Sequence, residues 1–203
     1  MAFLVLGNLL FLAFCIPPFI FLLVGEVFFS LGIACFSVIP AFSGLLHFVA
    51  KIIQNKKPAM RDFFLGVYRF YGRSIVLGSL GIFSFSWLLS VFPYGEEGLS
   101  LAEVCLFVLS LFSFLFLVIL SVYAVPIMVF WDLTLKKALI QALILTSHYR
   151  IPTAGILSLG FLVALLAWWT KLGLLIILPS VWAVFLCKLV VKLSQDLAFS
   201  DSE

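Results

Sequence analysis

Charged residues are scarce in this chain. Lysine, arginine, aspartate and glutamate make up 10% of its 203 residues, whereas 65% are hydrophobic. A soluble globular domain is about a quarter charged and about half apolar. The shortage of charge therefore excludes a water-soluble fold and indicates a protein that is largely surrounded by lipid.

Residues that perform chemistry within membranes are also missing. The four cysteines form no Cys-x-x-Cys pair and lie in apolar stretches, so a zinc site or a disulfide framework is unsupported. His47 and His148 belong to no His-Glu-x-x-His motif, and the apolar runs hold no paired aspartates. We therefore predict no catalytic residue, no metal ion, no cofactor and no enzymatic activity.

Long uncharged runs are the main feature that is present. About 20 apolar residues make a helix that crosses a bilayer, and a helix satisfies its backbone polar groups within one segment. The first run has no basic start and holds Pro17-Pro18, so we interpret it as a span and not as a signal peptide. We predict one all-α transmembrane domain over residues 1–203, a bundle of six helices in three hairpins. The predicted spans are about residues 2–25, 27–50, 74–94, 104–131, 151–170 and 172–191.

Basic residues are distributed unevenly between the connections. Eleven of the twelve fall on one predicted side of the membrane. They are Lys51, Lys56, Lys57, Arg61, Arg69, Arg73, Lys136, Lys137, Arg150, Lys188 and Lys192. The other side has Lys171 together with Glu26, Glu96, Glu97 and Glu103. Because short cytoplasmic connections retain lysine and arginine, we predict a multi-pass protein of the bacterial inner membrane with both termini in the cytoplasm. This topology explains the net charge of +3, so no nucleic-acid partner is implied.

Two cytoplasmic connections have the pattern of short amphipathic helices. Over residues 58–73, aromatic residues alternate at helical spacing with Arg61, Asp62, Arg69 and Arg73. A second such pattern covers residues 132–148, where Asp132 is expected to cap the helix start. We predict that both helices lie at the membrane interface and contact lipid phosphates through their basic side chains.

A proline recurs about ten residues before three of the basic stretches. Pro40, Pro126 and Pro179 each follow an aliphatic residue within a predicted span. Proline removes a backbone N–H and clashes with the preceding turn, so each helix is expected to kink. One interpretation is that these prolines have no functional role, since membrane helices tolerate proline. The other is that three kinked helices surround a central cavity, as broken helices do in transporters.

Several segments resemble the YesL-like family of bacterial integral membrane proteins, whose activity is unknown. The similar segments are 39–46 (IPAFSGLL), 61–71 (beginning RDFF), 130–139 (FWDLTLKKAL) and 178–180 (LPS). They extend over roughly residues 36–193. The resemblance implies a helical membrane protein that accompanies carbohydrate uptake systems, with no catalytic or binding residues to transfer.

Three functional hypotheses follow. The first is a transport-associated protein that assists or performs uptake of a small solute such as a carbohydrate, for which a polar-lined cavity would be required. The second is a membrane scaffold whose basic cytoplasmic face binds a soluble partner or anionic lipid. The third is an enzyme, which requires polar residues of the connections to converge. The candidate polar and lipid-contact residues are Arg61, Asp62, Arg69, Arg73, Asp132, His148 and Arg150.

Overall fold

The computed structural model describes residues 2–92, 100–169 and 178–200. These residues form seven α-helices, and none of them lies in a β-strand. The helices are α1 (Ala2–Leu23), α2 (Val27–Ile53), α3 (Met60–Ser90), α4 (Leu101–Trp131), α5 (Leu135–His148), α6 (Arg150–Trp169) and α7 (Leu178–Ser200). The predicted all-α class is confirmed for this part of the chain.

Four of the helices are long and apolar enough to cross a membrane. They are Phe3–Leu23, Val27–Ile53, Met60–Ser90 and Leu101–Trp131. Continuous apolar sequence favours helix here because each backbone N–H and C=O finds its partner within the segment. The predicted fifth and sixth spans overlap α6 and α7, and residues 170–177 between them lie outside the described part, as does Lys171. The structure is that of a helical membrane bundle.

The first predicted interfacial helix is not a separate element. Residues 58–73 and 74–94 were expected to form two helices, but α3 runs without a break from Met60 to Ser90. Nothing at the expected junction ends a helix, since residues 72–75 hold no proline and no turn sequence. The 31 residues of α3 are about 46 Å long, against a hydrocarbon thickness of about 30 Å, so roughly ten residues extend beyond it.

The second predicted interfacial helix is a separate element, and it begins three residues later than expected. It is α5, whose 14 residues extend only about 21 Å, too short to cross a bilayer. Ala138, Ala142 and Leu145 form its buried face against the end of α4. Ile140 and Ile144 are half exposed on the opposite face.

α2 lies at the centre of the bundle and contacts α1, α3, α4 and α7. Most of its second half is buried, from Ala41 through Phe48 and Val49. Buried residues of α4 between Tyr123 and Val129 pack in the same core, together with Phe63 and Phe70 from the first half of α3. The core is therefore concentrated towards one end of the bundle, the end at which α2 finishes and α3 begins.

Candidate functional site

Two glycines bring α2 and α3 into direct contact. A Cβ atom added at Gly66 would lie 2.7 Å from the Cβ of His47 and 3.1 Å from the Cα of Gly44. A Cβ at Gly44 would lie 2.9 Å from the backbone oxygen of Phe63. Small residues allow membrane helices to approach this closely, because backbone then contacts backbone. Next to this contact, the buried Ser43 and Ser74 hydroxyls lie 2.6 Å apart in a hydrogen bond.

An ion pair joins the end of α2 to the start of α3. The Lys51 ammonium, near the end of α2, donates to Asp62 Oδ1 at 2.6 Å. The other carboxylate oxygen of Asp62 accepts from the backbone N–H of Ala59 at 2.8 Å, which satisfies one of the free donors at the start of α3. The Asp62 carboxylate thus joins the end of one helix to the first turn of the next.

A second ion cluster fastens α3 to the turn between α4 and α5. Arg69 donates to Asp132 through Nε, at 3.2 Å from Oδ1, and through Nη2 to Oδ2. Arg73 Nη1 donates to the backbone oxygen of Leu133 at 3.0 Å and approaches Asp132 Oδ1 at 3.4 Å. Both guanidinium groups also lie about 6 Å from the centre of the buried Phe70 ring. Arg69 is therefore held by a forked contact to the Asp132 carboxylate, and Arg73 by the same carboxylate together with the Leu133 backbone oxygen.

The expected role of Asp132 as a helix N-cap is wrong. Asp132 instead ends α4 in the left-handed conformation, with φ 51° and ψ 43°, and Thr134 occupies the N-cap position of α5. Aspartate is among the few non-glycine residues that tolerate this conformation. The turn directs the carboxylate towards Arg69 and Arg73, residues that are distant in sequence.

The remaining candidate residues are not part of this cluster. Arg61, His148 and Arg150 are exposed, and within the described residues no hydrogen bond or ion pair joins them to Asp62 or Asp132. The polar residues of the connections thus form two separate ion clusters and leave His148 outside both. No group of three His, Cys, Asp or Glu residues in the described part is arranged to hold a metal ion.

Exposed cations surround the two ion clusters. In the described part, five basic side chains in the α2–α3 connection and in the first turns of α3 and α5 are exposed and make no ion pair. They are Lys56, Lys57, Arg61, Lys136 and Lys137. We call these five residues, together with Arg69 and Arg73, the basic end of the bundle. Tyr68 is 88% exposed on the adjacent turn of α3, and Phe64 is 50% exposed.

A cavity of about 450 Å³ lies between α1, α2, α3, α4 and α7. Its walls are apolar, with Phe42, Phe114 and Val118 among the lining residues. Ser121 supplies a hydroxyl group, but that group donates to a backbone oxygen of its own helix at 2.8 Å. The transport hypothesis requires a polar-lined cavity, whereas the lining observed here is apolar. The lining residues come from five helices, and the sequence does not specify how those helices pack.

Two of the three prolines lie beside this cavity. Pro40 and Pro126 are buried within α2 and α4, and the residues before them, Ile39 and Val125, line the cavity. Pro179 is the second residue of α7, and the residues that lead to it lie outside the described part. The cavity between helices that contain prolines agrees with the hypothesis of a central cavity, whereas kinks at the three prolines stay a prediction.

Comparison with known proteins adds no relative. No protein-family model, no curated protein sequence and no solved structure matches the chain. The resemblance to the YesL-like family therefore stays a prediction, and functional inference depends on the basic end and the cavity.

Proposed function

We propose that this protein is a six-span membrane scaffold of the bacterial inner membrane, with the basic end in the cytoplasm, where it binds the headgroups of anionic phospholipids. The observation that carries the proposal is the set of five exposed, unpaired cations next to an arginine pair held by Asp132. Anionic headgroups supply the missing counter-charge at the depth where α3 leaves the hydrocarbon.

The exposed aromatic residues support the same location. Tyr68 and Phe64 lie on the turns of α3 that carry Arg61 and Arg69. Tyrosine is enriched where hydrocarbon meets headgroups, because its ring is apolar and its hydroxyl is polar. A surface that combines exposed aromatic rings with arginines suits a membrane interface better than bulk water.

The apolar lining of the cavity is evidence against the alternative function, solute transport. A path for a carbohydrate needs hydrogen-bonding groups along it, since unpaired polar groups are costly in an apolar environment. Beyond the internally bonded Ser121 hydroxyl, the indole N–H of Trp182 is the only other side-chain polar group among the lining residues that the structure describes. These observations favour a scaffold, which is compatible with an accessory role beside an uptake system, over a carrier that moves sugar itself.

The test is retention of anionic lipid by purified protein. We would titrate the full chain, in neutral detergent micelles, with fluorescent phosphatidylglycerol and compare it with a variant carrying Lys56→Gln, Lys57→Gln and Arg61→Gln. Each cation near an anionic surface contributes about 1 kcal/mol, so the triple change should weaken binding by roughly 100-fold at low salt.

The matched control preserves charge at the same positions through Lys56→Arg, Lys57→Arg and Arg61→Lys. It should bind phosphatidylglycerol as the wild type does, because the attraction depends on charge and not on side-chain shape. Equal binding by the neutralised and wild-type proteins would contradict the proposal and would turn attention to a soluble acidic partner for the basic end.

A further inference from the structure

We propose that the cavity between α1, α2, α3, α4 and α7 holds one acyl chain of a membrane phospholipid. Its volume of about 450 Å³ is within the range of about 300–1,000 Å³ that is usual for small-molecule sites. The inference rests in part on the proposed function, because the headgroup of the same lipid is assigned to the basic end.

The chemistry of the walls selects a hydrocarbon. The Ser121 hydroxyl donates to its own helix, and among the other described lining residues the Trp182 indole N–H is the one side-chain group that could bond to water or sugar. An apolar cavity of this kind remains dry and accepts apolar ligands. At this depth of a bilayer the apolar molecules at hand are the acyl chains of the surrounding lipids, so an acyl chain is the occupant that the site meets most often.

The position of the cavity suits a lipid whose headgroup is at the basic end. Leu77 lines the cavity, and Arg73 precedes it by one helical turn, about 6 Å along α3. Val125 lines it as well, and Asp132 follows at the end of α4, about 10 Å further on. Within the described residues, the hydrogen bonds of Arg73 use its Nη1 atom, which leaves its Nε and Nη2 donors for a phosphate oxygen.

Gly81 provides a way to block the site. It lines the cavity, and a Cβ atom added there would meet no heavy atom within 4 Å. A phenylalanine at this position would therefore extend into space that the chain occupies. Gly72 on the same helix also has no heavy atom within 4 Å of an added Cβ, but it is exposed and does not line the cavity. Gly72→Phe is thus a control with the same chemical change.

The experiment uses the full chain in vesicles of phosphatidylcholine that contain a minor fraction of phosphatidylglycerol with a diazirine near the end of one acyl chain. After illumination, mass spectrometry locates the labelled residues. We expect labels on Val118 and Val122, which line the cavity. Gly81→Phe should lower this labelling by about tenfold or more, because it displaces several methylene groups from the site, and Gly72→Phe should leave it unchanged.

Two results would overturn the proposal. One is labelling confined to the exposed face of α4, at residues such as Phe112 and Phe116; the other is equal labelling of the cavity in Gly81→Phe and wild type. If Gly81→Phe does not fold, the smaller Gly81→Leu replaces it, with Gly72→Leu as its control and thermal unfolding as a check on both.

The preference for an anionic headgroup is tested separately, with phosphatidylcholine that carries the same diazirine near the end of one acyl chain. Equal cavity labelling from both lipids would support the acyl-chain site and contradict the headgroup preference of the proposed function. Phosphatidylglycerol binding without cavity labelling would support the proposed function and overturn the acyl-chain site.

Discussion

Gly66 and Gly81 lie on the same helix, α3, and have opposite surroundings. At Gly66 an added Cβ would lie 2.7 Å from His47, whereas at Gly81 it would meet nothing within 4 Å. The first glycine allows two backbones to touch, and the second leaves a cavity beside the helix. Glycine in a membrane helix therefore indicates either close contact or open space, and only the position of the neighbouring helices distinguishes the two.

The two halves of the bundle also differ in how closely their helices pack. Near the basic end, Phe48, Phe63 and Tyr123 are at most 1% exposed. In the opposite half, Phe28 is 80% and Phe83 is 71% exposed. The ion contacts of the described residues lie near the basic end, namely Lys51–Asp62 and the Arg69–Asp132 fork, whereas neutral hydrogen bonds such as Trp87–Ser110 join helices in the opposite half. Substitutions near the basic end should accordingly cost more stability than equivalent ones around the cavity.

The largest effect is expected from Gly66→Leu. The new side chain would collide with the Cβ of His47 and with the backbone of Gly44, atoms that cannot move aside unless α2 itself shifts, so the cost should be about 3 kcal/mol of unfolding free energy. Thermal unfolding in detergent is the measurement. Gly72→Leu is the control, because it makes the same change at an exposed site of α3. A midpoint for Gly66→Leu equal to that of the control would show that the two helices do not touch as described.

The next effect concerns the contact that joins α3 to the end of α4. Asp132→Ala removes the carboxylate bound by Arg69 and Arg73 and places alanine in a left-handed conformation that costs about 1–2 kcal/mol by itself. We expect a total loss of about 2 kcal/mol in the same assay. The partial exposure of the ion cluster, 43% for the Asp132 side chain, limits its own share to about 1 kcal/mol.

Asp132→Asn separates these two contributions. Asparagine also tolerates the left-handed conformation, so this variant should lose only the charge contribution of about 1 kcal/mol, and less at high salt. Equal destabilisation by Asp132→Asn and Asp132→Ala, at low and at high salt, would mean that the backbone conformation of residue 132 contributes nothing to the difference in stability.

A smaller loss is expected from Ser74→Ala. It leaves the buried Ser43 hydroxyl without its partner across the α2–α3 contact. Hydrogen bonds between membrane helices contribute about 0.6 kcal/mol on average, so we expect a loss of about 1 kcal/mol, and the double variant with Ser43→Ala should lose little more. Additive losses in this double-mutant cycle would contradict a direct bond between the two hydroxyls.

The sequence is sufficient to predict some of these features and not others. Uncharged runs of 20 or more residues require helices in a membrane, and the all-helical bundle follows from that requirement. The Arg69–Asp132 contact joins residues far apart in the chain, so it depends on how α3 and α4 pack, which hydropathy does not specify. The error at Asp132 has a local cause, because Asp132 and Thr134 are each compatible with either end of a helix until the backbone conformation is known.

The contrast between Gly66 and Gly81 is sharpest in the variant with the smallest expected effect, Gly81→Leu. Leucine favours helix over glycine by up to about 1 kcal/mol, and here its side chain enters a cavity instead of colliding with a neighbour. In protein freed of bound lipid, stability should therefore stay equal or rise by about 1 kcal/mol, whereas the same substitution at Gly66 is strongly destabilising. Thermal unfolding of Gly81→Leu beside Gly72→Leu measures the difference that is due to the cavity, since both gain the same helix propensity. A clear loss of stability at Gly81 alone would mean that the space beside α3 is already filled. The first candidate for the occupant would be an acyl chain retained through purification. Extracting the lipid that accompanies the wild-type protein and measuring its mass would identify it.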